Sequence, residues 1–271
     1  MTAGAACPPL RPASVPATTR PLPLGHLPHV DLATLDTHAA LLTRVDRKYV
    51  LGPADAADLL DALPAGTGVL EIAGRRSFAY ESVYFDTPAL HSYTSAAHRR
   101  RRRFKVRTRT YLDSGTCWLE VKTRGARGTT VKRREPYDVG DRATLVASGL
   151  RFVDAMLAEA CIDAVPATDL APVLTTRYRR STLHLPGSGA RATLDTELEW
   201  TSTDARSRGA GGLVIVETKT GASPSAVDRL LWVRGHRPTT VSKFGTGLAA
   251  LNPELPSNRW HRTVRRLDLA A

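Results

Sequence analysis

Polar and apolar residues alternate along many short segments of the chain, which places the apolar side chains of each predicted strand on one face. The alternation predicts seven or eight strands, at residues 44–51, 78–85, 103–112, 116–124, 129–137, 173–185, 191–201 and 212–219. Apolar residues at helical spacing predict helices at residues 32–42, 54–63, 90–97, 142–148, 152–162, 224–233 and 247–251. Hairpin-type turns link several strands, so the pattern indicates one α+β domain with an antiparallel sheet.

The polar faces of these strands are charged. The strand at 103–112 carries Lys105, Arg107 and Arg109 on one face, and the next strand carries Glu120 and Lys122. Later strands carry Arg180, then Arg191 with Asp195, then Glu217 with Lys219. Charged residues of both signs therefore recur on one face of successive strands.

A charged strand face has two interpretations. On a single strand, exposure to water is the commoner arrangement. Many charged strands in succession fit a sheet that closes on itself, with helices outside and the charged faces lining a lumen. Such a lumen is wet or holds a polyanion, because unpaired buried charges are too costly. We therefore expect an antiparallel β-tunnel.

Composition and charge indicate the partners, the location and the boundaries expected for this domain. The formal charge of +12 and the pI near 10.2 indicate a polyanionic partner: nucleic acid, an anionic membrane or phosphate-rich small molecules. The chain shows neither a run of ~18 apolar residues nor a signal peptide, so a cytoplasmic protein is expected. We expect a disordered proline-rich segment at 1–28, the tunnel domain at 29–252 and a basic tail at 253–271.

Eight short motifs resemble a known family in their order along the chain. They are Arg47-Lys48-Tyr49, residues 83–87, Val106-Arg107-Thr108-Arg109, Leu119-Glu120-Val121-Lys122, residues 178–182, residues 191–196, Val216-Glu217-Thr218-Lys219 and Ser242-Lys243-Phe244. No single motif is specific, but the ordered set is similar to the VTC domain. That domain is the polyphosphate polymerase module of the vacuolar transporter chaperone complex, within the CYTH or triphosphate tunnel metalloenzyme superfamily. The resemblance implies an eight-stranded tunnel with helices outside, a bound triphosphate and Mn²⁺ or Mg²⁺.

The resemblance also implies roles for individual residues. Those expected to act on the transferring phosphate are Lys122, Arg107, Arg109, Arg180 and Arg191. Those expected to bind substrate are Lys48, Lys105, Lys132, Arg134, Lys219, Lys243 and Tyr84. Glu217 is the expected metal ligand, and Glu120 and Asp195 are further candidates. Asp195, Glu197 and Glu199 share a predicted strand face. They form either a second acidic cluster or pairs with lumen arginines, and pairing is the favoured interpretation.

The chain departs from the family at two places. Asp46 stands where the family has Glu, a change that affects metal geometry. Gly245 and Thr246 stand where the family has Ser and a second Lys, which removes one expected phosphate contact.

The expected activity is transfer of the ATP γ-phosphate to a growing polyphosphate chain, which would thread a tunnel open at both ends. A tripolyphosphatase or nucleoside triphosphatase, and a non-catalytic module that binds polyphosphate or inositol phosphates, remain alternatives. ATP or another triphosphate, inorganic polyphosphate and a membrane-protein partner are the expected partners. Nucleic acid is not expected, because the basic residues face carboxylates and no nucleic-acid signature is present. The run Arg99–Arg103 either gathers polyanions near the tunnel, binds nucleic acid or lipid, or is a solvated loop.

Overall fold

The computed structural model describes residues 21–38, 45–125, 129–186 and 189–268. Its strands are β1 (His29–Val30), β2 (Val45–Leu51), β3 (Gly68–Leu70), β4 (Phe78–Asp86), β5 (Phe104–Tyr111), β6 (Thr116–Arg124), β7 (Thr130–Tyr137), β8 (Ala171–Leu185), β9 (Ala190–Ser202), β10 (Ser207–Gly209) and β11 (Val214–Thr220). Its helices are α1 (Leu32–His38), α2 (Pro53–Asp61), α3 (His91–Ala97), α4 (Ala147–Glu159), α5 (Ala226–Val233), α6 (Lys243–Leu251) and α7 (His261–Asp268).

Eight long strands form one antiparallel path in the order β2-β11-β9-β8-β4-β5-β6-β7. The short strands β1, β3 and β10 are additions that pair beside this path. The predicted α+β class with an antiparallel sheet is confirmed. The sheet does not close into the expected tunnel. In the described part of the chain, β2 and β7 end the path and do not pair with each other, so a seam remains between them.

The apolar strand faces turn outward and pack against helices. Val106 and Val121 of the sheet contact the layer that contains Val153 and Leu157 of α4. On the opposite side, α2 and α5 cover the outer faces of β2, β9 and β11. Because the apolar faces are outside, the charged faces of the same strands are left on the inside.

Helix α6 closes the inner face at one end of the sheet. The inward strand face becomes apolar two residues away from the charged positions. Val50 follows Lys48 on β2, and Tyr178 precedes Arg180 on the antiparallel strand β8. These residues join one core cluster with Phe244 and the rest of α6. The expected tunnel open at both ends is therefore blocked by α6 on the side of β2, β8 and β11.

The region predicted as a helix at 142–148 is mostly a turn. Thr108 Oγ1 donates a hydrogen bond to the Arg142 carbonyl at 2.6 Å, and Tyr137 Oη donates to the Thr144 carbonyl at 2.9 Å. These side chains engage carbonyls that an α-helix would use, so the helix begins only at Ala147 and continues to Glu159. The two helices predicted at 142–148 and 152–162 are thus one.

The folded unit extends past both predicted boundaries. Leu24 and Leu27 are buried in the core, and Arg76 Nη1 donates to the Leu24 carbonyl at 2.6 Å. At the other end Trp260 is buried and α7 follows it. Residues 1–20 of the predicted disordered segment lie outside the described residues. Within the described ranges, no helix has the length and apolar character needed to cross a membrane.

Gly247 tests the packing of α6. A Cβ at this position would lie 2.1 Å from Trp200 Cδ1, so Gly247→Ala should lower the free energy of unfolding by ~1–3 kcal/mol through overpacking. Gly221→Ala is the control, because an added Cβ there meets nothing within 4 Å. Urea denaturation of both variants measures the difference, and equal stabilities would contradict the described position of α6.

Candidate active site

The charged inner faces enclose one cavity of about 410 Å³ to which all eight long strands contribute. Three carboxylates line it, from Asp46, Glu120 and Glu217. Eleven basic side chains line it: Lys48, Lys105, Arg107, Arg109, Lys122, Lys132, Arg134, Arg180, Arg191, Lys219 and Lys243. The formal excess of eight positive charges favours an anionic ligand with several charges.

The chain has only six lysines, and all six line this cavity. The basic residues elsewhere in the chain are arginines. A lysine ammonium is a compact, strongly hydrated charge whose pKa shifts readily on burial, whereas a guanidinium stays charged. The net charge of the cavity therefore depends on its ligand, because a bound anion changes the pKa values of the lysines.

Glu120 neutralises one part of the wall. Arg107 donates from Nε and Nη2 to Glu120 Oε2 at 2.8 and 2.6 Å, and Lys132 Nζ lies 2.5 Å from Oε1. Arg109 Nη1 is 3.8 Å from the same oxygen. Burial would raise the pKa of Glu120, but the charges of Arg107, Arg109 and Lys132 outweigh burial and hold the pKa well below its usual range.

Asp195 neutralises a second part. Arg180 donates to both carboxylate oxygens, at 2.6 and 2.8 Å, and Lys243 also contacts the carboxylate. The Arg180 guanidinium lies over the rings of Tyr80 and Tyr178, which stack on each other at 5.2 Å. Burial is again outweighed by the adjacent cations, which lower the pKa of Asp195.

Glu217 faces the cavity from β11. It pairs in register with Lys48, its Oε2 lies 3.0 Å from Lys219 Nζ, and Arg180 Nη2 is 4.0 Å away. Burial raises the pKa of Glu217, but Lys48, Lys219 and Arg180 lower it by more, so the carboxylate is ionised near neutral pH. Of the three candidate metal ligands it is the one that does not accept two hydrogen bonds from an arginine.

The N-terminus of α6 adds positive potential to the cavity. Its N-cap residue Ser242 accepts hydrogen bonds at Oγ from Gly245 N at 3.2 Å and from Lys105 Nζ at 2.8 Å. Free backbone N–H groups and the helix dipole favour anions at such an end. Burial, then repulsion from Lys48 and Arg107, lowers the pKa of Lys105 to about 7.

Several cationic or polar groups in the cavity have no partner within the described residues. The Lys122 ammonium makes no hydrogen bond or ion pair, and repulsion from Arg107 followed by burial keeps its pKa well below the usual value. Arg109 Nε and Thr193 Oγ1 are buried without an acceptor or donor. Unsatisfied buried groups are costly, so their concentration here favours an absent acceptor such as phosphate oxygen.

The cavity fits a divalent ion that binds together with a phosphate ligand. Among the described residues, no group of three or more His, Cys, Asp or Glu side chains is placed to hold a metal ion. Arginines hold Glu120 and Asp195 through two hydrogen bonds each, whereas Glu217 is paired with Lys219 at 3.0 Å and lies 4.0 Å from Arg180. Mg²⁺ typically takes only one or two carboxylates and completes its shell with water and substrate phosphates. Glu217 on β11 would supply one such carboxylate, and Asp46 on the neighbouring β2 also lines the cavity but pairs in register with Lys219.

The structure gathers most of the residues predicted from the sequence. Fourteen of the fifteen candidate site residues line the cavity, and the remaining one, Asp195, is buried behind Arg180 and Lys243. Sequence reasoning missed Ser242, Tyr80 and Thr193 as parts of the wall. The position of Tyr80 could have been inferred, because it lies four residues before Tyr84 on the same strand face.

Asp195, Glu197 and Glu199 do not share one strand face as predicted, so the alternative of a second acidic cluster is excluded. The register of β8 and β9 shifts between Arg177 and Arg179, and Glu197 has a positive φ of 51°. This bulge turns Glu197 to the exterior while Asp195 remains inside. The favoured interpretation, pairing with lumen arginines, is confirmed for Asp195 through Arg180.

Comparison with known proteins agrees with this architecture. A sequence model of the VTC domain family matches residues 43–252. A putative adenylyl cyclase from Hippeastrum, HpAC1, described as having a dominant triphosphatase activity, is 21% identical; the alignment covers 80% of this chain and 100% of that one, with a TM-score of 0.51. A putative adenylate cyclase from Bacillus halodurans is 11% identical over 74% of this chain and 94% of that one, with a TM-score of 0.47. No curated protein sequence matches the chain. At these identities the structural likeness establishes the fold alone.

The confinement of lysine to the cavity gives a direct test. Acetylation removes the charge of lysines and of the terminal amine but leaves arginines unmodified, so it should reduce tripolyphosphate affinity at least about tenfold while the arginine-rich surface stays intact. Tripolyphosphate present during the reaction should protect these lysines, as counted by peptide mass spectrometry. Full modification in the presence of bound ligand would contradict the assignment of the lysines to its site.

The lowered lysine pKa values predict a stability that rises with pH. Burial lowers the pKa of Lys105 to about 7 and those of Lys219 and Lys243 to about 8. Unfolded lysines titrate near ~10.4, so above roughly pH 7 the unfolded state binds more protons and the free energy of unfolding increases up to roughly pH 10.

Urea denaturation of the ligand-free protein across this range measures the rise. Lys105→Met removes the lysine with the lowest pKa given above. The rise in the free energy of unfolding should therefore become shallower near pH 7. A free energy of unfolding that falls between pH 7 and 9 would be the contrary result.

Proposed function

The chain belongs to the VTC domain family, and on that premise we propose that its cavity binds phosphate chains and transfers the γ-phosphate of ATP to polyphosphate. The observation that carries the proposal is the excess of cations over carboxylates in one enclosed cavity, with unpaired buried donors among them. Phosphoryl transfer requires mainly positioning and charge neutralisation, which arginine forks and lysine ammonium groups supply.

The state of the carboxylates favours a phosphate acceptor over water. A hydrolase gains from a general base whose pKa lies near the working pH. Glu120, Asp195 and Glu217 all have lowered pKa values because cations surround them, which makes each a poor base. The terminal oxygen of a polyphosphate chain is already anionic and needs no base.

The proposed reaction balances without a proton transfer. A terminal oxygen of the chain attacks the γ-phosphorus of ATP, the bond from that phosphorus to the β,γ-bridging oxygen breaks, and ADP leaves. Arg107, Arg109 and Lys122 neutralise phosphate oxygens on one wall, while Arg180 and Arg191 do so on the opposite wall. These five residues hold the two phosphates in line and exclude competing water.

A divalent ion has a defined place in this proposal. Glu217 would hold Mn²⁺ or Mg²⁺ together with phosphate oxygens, and the ion would supply further neutralisation of the triphosphate. Substrate phosphates that compensate Lys105 and Lys122 would return their pKa values toward normal, so both would be protonated in the complex.

A triphosphatase is the second candidate, since the Hippeastrum protein of the same fold is described with that activity. Purified protein with ATP and Mn²⁺ or Mg²⁺ separates the two. ADP with acid-stable long-chain phosphate supports the polymerase, and ADP with orthophosphate alone supports the hydrolase. Tight polyphosphate binding without nucleotide turnover would overturn both and leave a binding module.

Variants of the cavity wall test the site independently of the acceptor. Lys122→Ala and Arg191→Ala should each lower nucleotide turnover at least about 100-fold, because each removes a charge that stabilises the transferring phosphate. Lys122 is repelled by Arg107 and Arg109, so its removal should leave the melting temperature unchanged or higher. Arg229→Ala, at an exposed position outside the cavity, is the control. Full activity of both cavity variants would exclude the proposed site.

A further inference from the structure

A second basic cavity lies on the outer face of β6 and β7. It has a volume of about 380 Å³, and four arginines line it: Arg101, Arg102, Arg124 and Arg133. Its lining contains a single carboxylate, Glu159, which lies 3.2 Å from Arg133 with about half of each side chain exposed. We call this cavity the arginine groove; its cations exceed its carboxylates, as they do in the inner cavity.

The loop that carries Arg101 and Arg102 is held in place by its own neighbours. Arg103 Nη1 donates to the Arg100 carbonyl at 2.7 Å, and Arg100 N donates to the Ser95 carbonyl at 2.9 Å. Burial, then repulsion from Arg124 and Arg259, lowers the pKa of Arg103. Arg101 and Arg102 themselves are exposed, so this braced loop leaves their two guanidinium groups accessible to an anion.

Two strands connect the arginine groove to the inner cavity. On β6, Lys122 lines the cavity and Arg124, two residues further on, lines the groove. On β7, Lys132 and Arg134 line the cavity while Arg133 lines the groove. Strand β7 is the edge strand at the open seam, and its residues Lys132, Arg133 and Arg134 are exposed. Cations therefore continue across an accessible sheet edge from one cavity to the other.

We propose that the arginine groove binds the part of a polyphosphate chain that extends out of the inner cavity across β7. The inference rests on the proposed function and adds the path of the chain to it. Helix α6 blocks the end of the cavity beside β2, β8 and β11, whereas β7 ends the described strand path and its cavity-lining residues Lys132 and Arg134 are exposed. A chain longer than the cavity would leave by this seam and meet Arg133 and Arg124.

Chain-length dependence of binding tests this path. The triple variant Arg101→Ser, Arg102→Ser, Arg133→Ser should weaken long-chain polyphosphate binding about tenfold and leave tripolyphosphate binding within about twofold of wild type. Glu159→Gln, which frees Arg133, should strengthen long-chain binding. The matched control removes three exposed arginines elsewhere: Arg229→Ser, Arg234→Ser and Arg237→Ser. Calorimetric titration with each phosphate measures all four proteins.

Cys161 gives a second readout within the groove. It is exposed and lines the groove, whereas Cys117 is buried. In a Cys7→Ser protein, long-chain polyphosphate should slow the alkylation of Cys161 by iodoacetamide, and tripolyphosphate should not. This measurement locates the chain without any substitution in the groove.

The outcomes separate the two proposals. Normal tripolyphosphate binding with equal long-chain affinity in the groove variant and the control, or with no protection of Cys161, overturns the groove alone. Failure of the protein to bind either phosphate overturns the groove and the proposed function together. If duplex DNA at equal phosphate concentration displaces long-chain polyphosphate and protects Cys161 equally well, the groove is a nucleic-acid site and the inference is wrong.

Discussion

Repulsion among the cations that line the inner cavity limits how the protein can fold and what it can bind. Eleven basic side chains share a volume of about 410 Å³, and Glu120 and Asp195 compensate only part of that charge. Packing outside the cavity offsets the free-energy cost of this repulsion. The apolar strand faces pack on α2, α4 and α5 and hold the charged faces inward. An anionic ligand removes the repulsion, so binding and stability are linked through the same side chains.

The open seam gives this charged interior a different geometry from that of a threaded tunnel. Helix α6 fills one end of the bore, and the close approach of Gly245 to Trp260 and of Gly247 to Trp200 leaves no room for side chains at those two positions. Access then depends on the part of the cavity next to β7, whose residues alternate between the inner cavity and the outer surface.

Strand alternation alone predicted which residues face inward, since period-two patterning is a local property of the chain. It correctly grouped Lys105, Arg107 and Arg109, and charge repeated over many strands correctly indicated that the charged faces line a common cavity, although the sheet does not close. Alternation could not predict the bulge that turns Glu197 outward, because a bulge depends on the pairing of β8 with β9. The seam and the position of α6 arise from contacts between segments distant in sequence, which no local pattern encodes. The ion pairs of Glu120 and Asp195 decide whether these carboxylates can bind metal. They too are contacts between different strands or helices, which no local pattern encodes.

The proposed function requires that the inner cavity bind a phosphate chain. A crystal structure of the protein with tripolyphosphate and Mn²⁺ would locate that chain. We expect phosphate oxygens within hydrogen-bonding distance of Arg107, Lys122 and Arg191, with the ion next to Glu217. Phosphate bound only to surface arginines, with Lys122 still unpaired and water in the cavity, would exclude the proposed site.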